Sequence, residues 1–319
     1  MKFSNFKEYE KAYTEQYIKK DYEGVIDLLN HGKDLLPQEE YEKNLFIIML
    51  DKARIYTEIP DYKKCISTFM DMTELGFACP LVWKRFEPLK KEERYDELIE
   101  KNDLLLEEAK KKAEFKYEVH LPEGYSREKK YPLFLNLHGD GSDGNIEEHS
   151  WYWKPEALVK EGFIVVYPQS SQVYCYNGFG WLIDPEVARK EIRTCYEEIA
   201  RKYSIDNERI IIGGFSGGSM AAADITMYNV IPVRGFVSLC PGEELKTFNK
   251  KHTEDAKKRG IKGVIIEGEN EIEPTVQEVI HEFDEVGFTY QYHIMDGVGH
   301  WYPDDLDERV NKALEFILE

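Results

Sequence analysis

The sequence predicts an α/β domain, with a mostly parallel sheet covered by helices on both faces, preceded by an all-α domain. Three observations predict this organisation. Residues 1–112 place apolar side chains at helical spacing and contain no strand-like stretch. Over 113–319, short apolar strands alternate with amphipathic helices. The 319 residues are 42% hydrophobic, which is enough to build the cores of two domains.

The helical half carries a weak internal repeat. Segments that begin at Tyr22, Tyr62 and Tyr95 each place two apolar residues three and four positions after the tyrosine. Each copy is predicted to open the second helix of a helix–turn–helix pair. The pattern resembles tetratricopeptide repeats, whose period is about 34 residues. A helical bundle is the alternative interpretation, and either form is expected to bind a protein partner or to gate substrate access.

The pattern of the chain changes after residue 112. Phe115 to Leu121 alternates in polarity and stops at Pro122, as a strand does. Further strands are predicted over 133–137, 163–167, 209–215, 235–239, 263–267 and 290–294. Helices are predicted around 150–160, 186–202, 218–229, 275–286 and 305–318. Because ligands of parallel sheets bind beyond the carboxyl ends of the strands, the loops at those ends are expected to carry the chemistry.

A candidate nucleophile follows the strand predicted over 209–215. Gly214-Phe-Ser216-Gly-Gly218 fits the pattern G-x-S-x-G between a strand and a helix. In that pattern the serine lies on a sharp, strained turn that lifts its hydroxyl clear of the sheet, and side chains at the flanking glycines would clash. Ser216 is therefore predicted to be a nucleophile. The alternative is a glycine-rich turn in which the serine has no catalytic role.

A glycine-rich loop follows the strand predicted over 133–137. Backbone N–H groups in such a loop can point at a developing oxyanion. The N–H of Gly217, directly after the nucleophile, is the first expected donor. The second is expected from residues 139–141, most naturally from Asp140, the residue after Gly139. His138 precedes this loop and is expected to anchor it by hydrogen bonds.

A candidate base follows the last predicted strand. His300 lies on a glycine-rich loop, and an imidazole with its ordinary pKa of about 6.5 suits proton transfer near neutral pH. The acid that orients it is expected between the serine and the histidine in chain order. The loop after residue 267 offers Glu271, Glu269 and Glu273, and Glu271 is the first choice.

Together these motifs resemble the α/β-hydrolase serine esterases of the carboxylesterase and polyhydroxybutyrate-depolymerase-like group. The resemblance covers roughly residues 115–319. It is carried by Leu137-His-Gly-Asp-Gly, Gly162–Pro168, Ile205–Ile210, the Ser216 turn, Gly268-Glu-Asn-Glu271 and Gly299-His300. It implies the α/β-hydrolase fold and an acyl-enzyme mechanism. It also places Glu271 where the family's Gly-x-x-Asp segment has its aspartate.

Aromatic residues crowd the predicted strand ends and are expected to form part of a substrate pocket. They are Trp151, Tyr152, Trp153, Tyr174, Tyr176, Phe179, Trp181, Trp301 and Tyr302. Trp151, Trp181 and Trp301 are the candidate substrate-binding residues, and Trp181 also resembles a pocket-side segment of the family. The alternative is that these rings only pack in the core.

Composition and charge exclude several classes of partner. The net charge of −19 disfavours nucleic acid and anionic membranes. Five widely spaced cysteines indicate free thiols in a reducing compartment, and the N-terminus lacks an apolar leader, so a cytoplasmic protein is expected. Asp140, Asp143, Glu147 and Glu148 do not have the spacing of a calcium loop. No metal and no cofactor are expected.

The leading prediction is a serine hydrolase that cleaves a carboxylic ester of a small or medium acyl substrate. The same residues would also suit an amide or peptide hydrolase, because both reactions pass through a similar oxyanion. A third hypothesis, of a different class, is a non-catalytic scaffold that binds partners through residues 1–112.

Overall fold

The computed structural model describes residues 2–142, 144–242 and 247–319. The chain divides into two compact units. One consists of Met1–Lys112 and Tyr174–Tyr176, and the other of Ala113–Val173 and Asn177–Glu319. The predicted catalytic and oxyanion residues and the three candidate substrate-binding tryptophans lie in the second unit. Tyr174 and Tyr176, expected from the sequence to form part of a substrate pocket, belong to the first unit instead.

The regular structure between Phe6 and Lys110 is helical. It comprises α1 (Phe6–Ile18), α2 (Tyr22–Asn30), α3 (Gly32–Leu35), α4 (Gln38–Lys43), α5 (Leu45–Glu58), α6 (Tyr62–Glu74), a 3-10 helix (Lys84–Lys91) and α7 (Tyr95–Lys110). Consecutive long helices pack on one another, α1 on α2, α5 on α6 and α6 on α7. The regular structure of the described part of residues 1–112 is thus all-α, as predicted, whereas the other segment of this unit, Tyr174–Tyr176, lies outside the predicted boundary.

The three repeated tyrosines are the first residues of α2, α6 and α7. Two of these helices begin in the same way. The side chain of Asp21 accepts the N–H of Gly24, and the side chain of Asp61 accepts the N–H of Lys64, so each aspartate caps its helix. The predicted helix starts are confirmed, whereas the likeness to tetratricopeptide repeats stays a prediction.

The second unit is organised around a seven-stranded sheet. Its strands, with a separate two-stranded ribbon of β4 and β5, are β1 (Lys116–His120), β2 (Tyr131–Leu137), β3 (Ile164–Gln169), β4 (Val173–Cys175), β5 (Gly178–Phe179), β6 (Ile205–Phe215), β7 (Gly235–Leu239), β8 (Lys262–Gly268) and β9 (Thr289–Met295). The sheet order is β1-β3-β2-β6-β7-β8-β9, and β1 alone runs antiparallel to its neighbour. The predicted strands are confirmed.

Helices cover both faces of this sheet. They are α8 (Ile146–Tyr152), α9 (Glu156–Lys160), α10 (Pro185–Lys202), α11 (Gly217–Met227), α12 (Lys250–Lys258), α13 (Pro274–Val286) and α14 (Leu306–Leu318). On β2, Leu133 and Leu135 pack with α10, α11, α12 and α13, while Phe134 packs with α8, α9 and α14. Alternate residues of a strand point to opposite faces, so one strand serves both cores. This is the α/β-hydrolase architecture.

The helix predictions are confirmed with two differences. The stretch around 150–160 forms two short helices, α8 and α9, because Pro155 lies between them and disfavours a helical conformation of the residue before it. Helix α12 was not predicted. Its sequence, Lys250 to Lys258, is almost entirely polar, and only Thr253 and Ala256 are buried, so it lacks the apolar periodicity on which the prediction depended.

A buried ion pair ties α10 to α11, the helix that begins after Ser216. The guanidinium of Arg189 donates from Nε and NH2 to the two carboxylate oxygens of Asp224, at 2.8 and 2.6 Å. Asp224 also accepts the hydroxyl of Thr247 at 2.6 Å. The Asp224 side chain is 1% exposed, so its charge is stabilised by these donors and not by water.

Replacing Asp224 by Ala should lower the free energy of unfolding by about 3–5 kcal/mol, because the Arg189 guanidinium, 12% exposed, loses the buried carboxylate to which it is bonded. Glu186→Ala is the matched control, since Glu186 pairs with the same Arg189 but is 79% exposed. We expect it to cost less than about 1 kcal/mol. Urea unfolding followed by tryptophan fluorescence measures both. Equal losses for the two variants would contradict the assignment of the buried pair as a main support of α11.

Candidate active site

Ser216 lies on a strained turn between β6 and α11. Its backbone angles are φ 51° and ψ −121°, in a region that residues with a side chain rarely adopt. The N–H of Ser216 donates to the carbonyl of Leu239 on β7, at 2.9 Å. The serine side chain is partly exposed although the residues on either side are buried. This is the geometry that the G-x-S-x-G pattern predicts.

Glycines are required around this turn because backbone lies against them. A Cβ on Gly214 would come within 2.6 Å of the carbonyl oxygen of Leu137, and one on Gly218 within 2.2 Å of that of His138. A Cβ on Gly139 would be 3.5 Å from the Cβ of Ser216. The end of β2 and the loop after it are therefore packed directly against the nucleophile turn.

His300 reaches Ser216 from the loop after β9. Its Nε2 lies 2.9 Å from the hydroxyl oxygen of Ser216. The two residues are 84 positions apart in the chain, and the parallel arrangement of β6 and β9 brings their loops to one edge of the sheet. The ring of Phe215 lies beside the imidazole, with ring centroids 5.1 Å apart.

Two of the three candidate glutamates contact the His300 loop. Glu271 accepts the backbone N–H of His300 at 3.0 Å, and Glu269 accepts the N–H of Gly297 at 2.9 Å. Glu273 instead donates its own N–H to the side chain of Glu267. Within the described residues, no carboxylate accepts a hydrogen bond from Nδ1 of His300. The carboxylate of Glu271 thus acts on the imidazole through its charge and through the loop backbone.

Burial and the charge of Glu271 shift the pKa of His300 in opposite directions. Desolvation is the larger effect and lowers the pKa of the imidazole below its ordinary value, while the nearby charge of Glu271 raises it. The net result is a neutral imidazole at neutral pH, with the lone pair of Nε2 available to a hydroxyl proton.

The loop after β2 borders the nucleophile from the other side. Its Gly141 N–H donates to the carbonyl of Phe179 at 3.1 Å and is therefore already engaged. A Cβ on Gly217 would come within 2.5 Å of the carboxylate of Asp140, so the loop and the start of α11 are in close contact. Gly217 is the first residue of α11, where backbone N–H groups have no partner within the helix.

Trp181 and His138 are buried residues that hold this loop in place. Trp181 is completely buried, and its indole N–H donates to the carbonyl of His138 at 2.9 Å. The backbone N–H of Trp181 donates to the carboxylate of Asp140 at 3.0 Å. Trp181 therefore has no exposed surface that a substrate could contact, and both of its N–H groups donate to the loop. Burial lowers the pKa of His138 to about 4, so its ring is a neutral anchor that accepts the N–H of Ser170.

The other two candidate tryptophans are exposed. Trp301, directly after His300, is 46% exposed, and Trp151 in α8 is 53% exposed. Tyr152 packs edge-on against Trp301, with ring centroids 5.0 Å apart. Both tryptophans therefore have surface that a ligand can contact.

In the part of the chain that the structure describes, no cluster of three or more His, Cys, Asp or Glu side chains is placed to hold a metal ion. Asp143, one of the loop acids considered from the sequence, lies outside the described residues. The five cysteines are free and buried. None of the described helices combines the length and the apolarity needed to cross a bilayer.

Sequence reasoning missed several residues that support the site. Glu267, at the end of β8, is buried and accepts the hydroxyl of Tyr292 at 2.8 Å and the N–H of Glu273 at 3.1 Å. Burial raises its pKa. A charged residue at the end of an apolar strand was the available signal. His149 is also buried and bonded to Tyr302, and no spacing rule links these two residues.

The chain shares short segments of sequence with known proteins. No protein-family model matches it. It is 32% identical over 90 residues to the bifunctional acetylxylan esterase/xylanase XynS20E of Neocallimastix patriciarum, covering 28% of this chain. It is 24% identical over 117 residues to dipeptidyl-peptidase 5 of Aspergillus oryzae, covering 37% of this chain. The matched segments span 12% and 16% of the lengths of those two proteins.

Solved structures support the fold. An uncharacterized protein from Bacillus cereus ATCC 10987 matches over 98% of both chains, with a TM-score of 0.54 and 21% identity. Esterase PE8 matches over 64% of this chain and 99% of its own, with a TM-score of 0.51 and 17% identity. The first likeness runs along nearly the whole chain. The second covers about two thirds of this chain and agrees with the sheet and helices described above.

We expect His300 to titrate below the ordinary histidine pKa of about 6.5, because burial outweighs the charge of Glu271. Glu271→Gln removes the charge that opposes this shift and should lower the pKa further. Glu269→Gln is the matched control in the same loop and should have the smaller effect. Histidine NMR titrations measure all three proteins. A pKa that rises in Glu271→Gln would contradict the described balance.

Proposed function

We propose that the second unit is a serine hydrolase that cleaves a carboxylic ester of a small or medium acyl substrate through an acyl-enzyme. The observation that carries the proposal is the 2.9 Å contact between the Ser216 hydroxyl and Nε2 of His300, made by a serine on a strained strand-to-helix turn. A serine hydroxyl is a weak nucleophile unless an adjacent base can take its proton. The esterases and hydrolases among the similar proteins agree with this proposal.

In the proposed first step, the Ser216 oxygen attacks the carbonyl carbon of the ester while its proton moves to Nε2 of His300. The carbonyl oxygen becomes an oxyanion. The N–H of Gly217 is the first donor to it, and the Gly139–Asp140 stretch supplies the second, since the N–H of Gly141 is engaged elsewhere. The tetrahedral intermediate then collapses. The imidazolium gives its proton to the leaving alcohol, and the acyl group remains on Ser216.

In the second step, a water molecule attacks the acyl-enzyme and His300 takes its proton. The intermediate collapses, the proton passes from His300 to the Ser216 oxygen, and the carboxylic acid leaves. The carboxylate of Glu271 stabilises the imidazolium that forms in both steps, because it is the negative charge that raises the pKa of this histidine. Its bond to the backbone N–H of His300 also holds the loop at the distance needed for proton transfer. Trp301 directly follows His300, Trp151 lies in α8, and both side chains are exposed. We propose that both contact the substrate.

An amide or peptide bond is the second candidate substrate. The similarity to dipeptidyl-peptidase 5 favours it, and the same serine, base and oxyanion donors would serve. The difference lies in the leaving group, because an amine must be protonated before it leaves. Parallel assays of matched p-nitrophenyl esters and p-nitroanilides of the same acyl group would separate the two activities.

Ser216→Ala should abolish hydrolysis of p-nitrophenyl esters, with a loss in kcat of at least about 10³-fold, because no other group forms the acyl-enzyme. Ser204→Ala is the matched control, since Ser204 precedes β6 at the opposite end of the strand from Ser216. It should retain wild-type turnover. A series of acyl chain lengths would size the acyl pocket.

A fluorophosphonate probe tests the same proposal without a substrate. An activated serine reacts quickly with it, and Ser216→Ala should not be labelled. Wild-type turnover in Ser216→Ala, or a wild-type protein that neither hydrolyses esters nor reacts with the probe, would overturn the proposed function. The second result would favour the scaffold hypothesis.

A further inference from the structure

A chain of hydrogen-bonded side chains leads from the buried sheet to the loop that carries His300. Asn136 lies on β2, His149 in α8, and Tyr302 follows His300 by two residues. The hydroxyl of Tyr302 lies 2.9 Å from Nδ1 of His149, and Nε2 of His149 lies 2.9 Å from the side-chain oxygen of Asn136. Asn136 and His149 are 0% and 1% exposed.

Because the side-chain oxygen of Asn136 faces Nε2 of His149, the protons in this chain follow one arrangement. An amide oxygen only accepts, so Nε2 of His149 carries a proton and donates it to Asn136. Nδ1 then has a free lone pair and accepts the hydroxyl proton of Tyr302. Complete burial lowers the pKa of His149 well below its ordinary value, which keeps the ring neutral and this lone pair available.

The ring of Tyr302 touches the nucleophile turn as well. It stacks on Phe215, with ring centroids 4.1 Å apart and an interplanar angle of 27°. Phe215 precedes Ser216, and its ring also lies beside the imidazole of His300. Tyr302 is therefore in contact with a residue next to the nucleophile and, through the backbone, with the loop of the base.

Tyr302 anchors the loop that carries His300 on the side that follows the histidine. The contacts of Glu271 and Glu269 hold the backbone of the loop at His300 and Gly297. Gly297 has φ 70°, and Gly299 immediately precedes the histidine, so the backbone before His300 is intrinsically permissive. Within the described residues no side chain accepts a hydrogen bond from Nδ1 of the imidazole. The orientation of the ring thus depends on how both ends of the loop are fixed.

We propose that Tyr302 and His149 are positioning residues for His300: the buried hydrogen bond between them fixes the loop so that Nε2 of His300 meets the Ser216 hydroxyl. The proposal rests on the proposed function, in which His300 is the base. The burial of this network supports the proposal, since Asn136 and His149 are 0% and 1% exposed. Polar groups are expensive to bury unless they are hydrogen-bonded, so a buried network of this kind holds its members in place.

Tyr302→Phe is the first test, because it removes the hydroxyl and keeps the ring that stacks on Phe215. We expect kcat for ester hydrolysis and the rate of fluorophosphonate labelling to fall by about 10-fold, with KM nearly unchanged, because the base is misplaced and the substrate surface is intact. Tyr125→Phe is the matched control. It also loses a tertiary hydrogen bond, from the N–H of Ser204, but at the far end of the sheet, and it should keep wild-type kcat.

A double-mutant cycle separates positioning from general loss of stability. If the two side chains act as one unit, Tyr302→Phe combined with His149→Gln should lose no more kcat than the worse single variant. Urea unfolding of every variant shows whether each is folded under assay conditions. Losses in kcat that multiply, or that follow the unfolding free energy and appear equally in Tyr125→Phe, would overturn the proposal.

A readout without turnover keeps this test independent of the proposed function. In ¹H–¹⁵N spectra of histidine-labelled protein, Tyr302→Phe should shift the imidazole signals of both His149 and His300, whereas Tyr125→Phe should shift neither. An unchanged His300 signal in Tyr302→Phe would overturn the positioning role even if the wild type is an active esterase. If Tyr302→Phe shifts both signals but the wild type has no esterase activity, the positioning role is supported and only the proposed function is rejected.

Discussion

The strained backbone at Ser216 is the constraint on which the site depends. A positive φ at a residue with a side chain costs about 1–3 kcal/mol and persists only where the surroundings impose it. Here β6 and α11 are both buried, and the chain must turn from one into the other within a single residue. The backbone of β2 lies so close that Gly214 and Gly218 have no room for a Cβ. The packing of the sheet therefore maintains the strain.

The same constraint decides where the other parts of the site can be. Because the hydroxyl is lifted above the carboxyl edge of a parallel sheet, loops that leave other strands at that edge can reach it. The loop after β2 lies on one side of Ser216, and the loop after β9 brings His300 from the other. Buried residues hold two of the loops at this edge. Trp181 and His138 hold the loop after β2, and Glu267 accepts the N–H of Glu273 in the loop after β8.

Electrostatics of the site follow from burial more than from paired charges. His138, His149 and His300 all have lowered pKa values, and desolvation is the main cause in each case. The protein as a whole carries a net charge of −19, yet its candidate base is kept neutral by its surroundings. The charge of Glu271 raises the pKa of His300 by less than burial lowers it, and Glu271 also bonds to the backbone of the loop. A glutamate, with one methylene more than aspartate, has the reach to do this from a neighbouring loop.

The sequence by itself determined the two-part organisation, the strands, the strained turn at Ser216 and the proximity of His300. Each of these depends on local rules, namely apolar periodicity, turn chemistry and the order of strand-end loops. Only the tertiary structure decided the rest: that Trp181 is a buried support, that Glu271 meets the backbone of His300, and that His149 bonds to Tyr302. These contacts join residues far apart in the chain through side-chain packing. Packing is a property of the assembled core, and no local pattern encodes it.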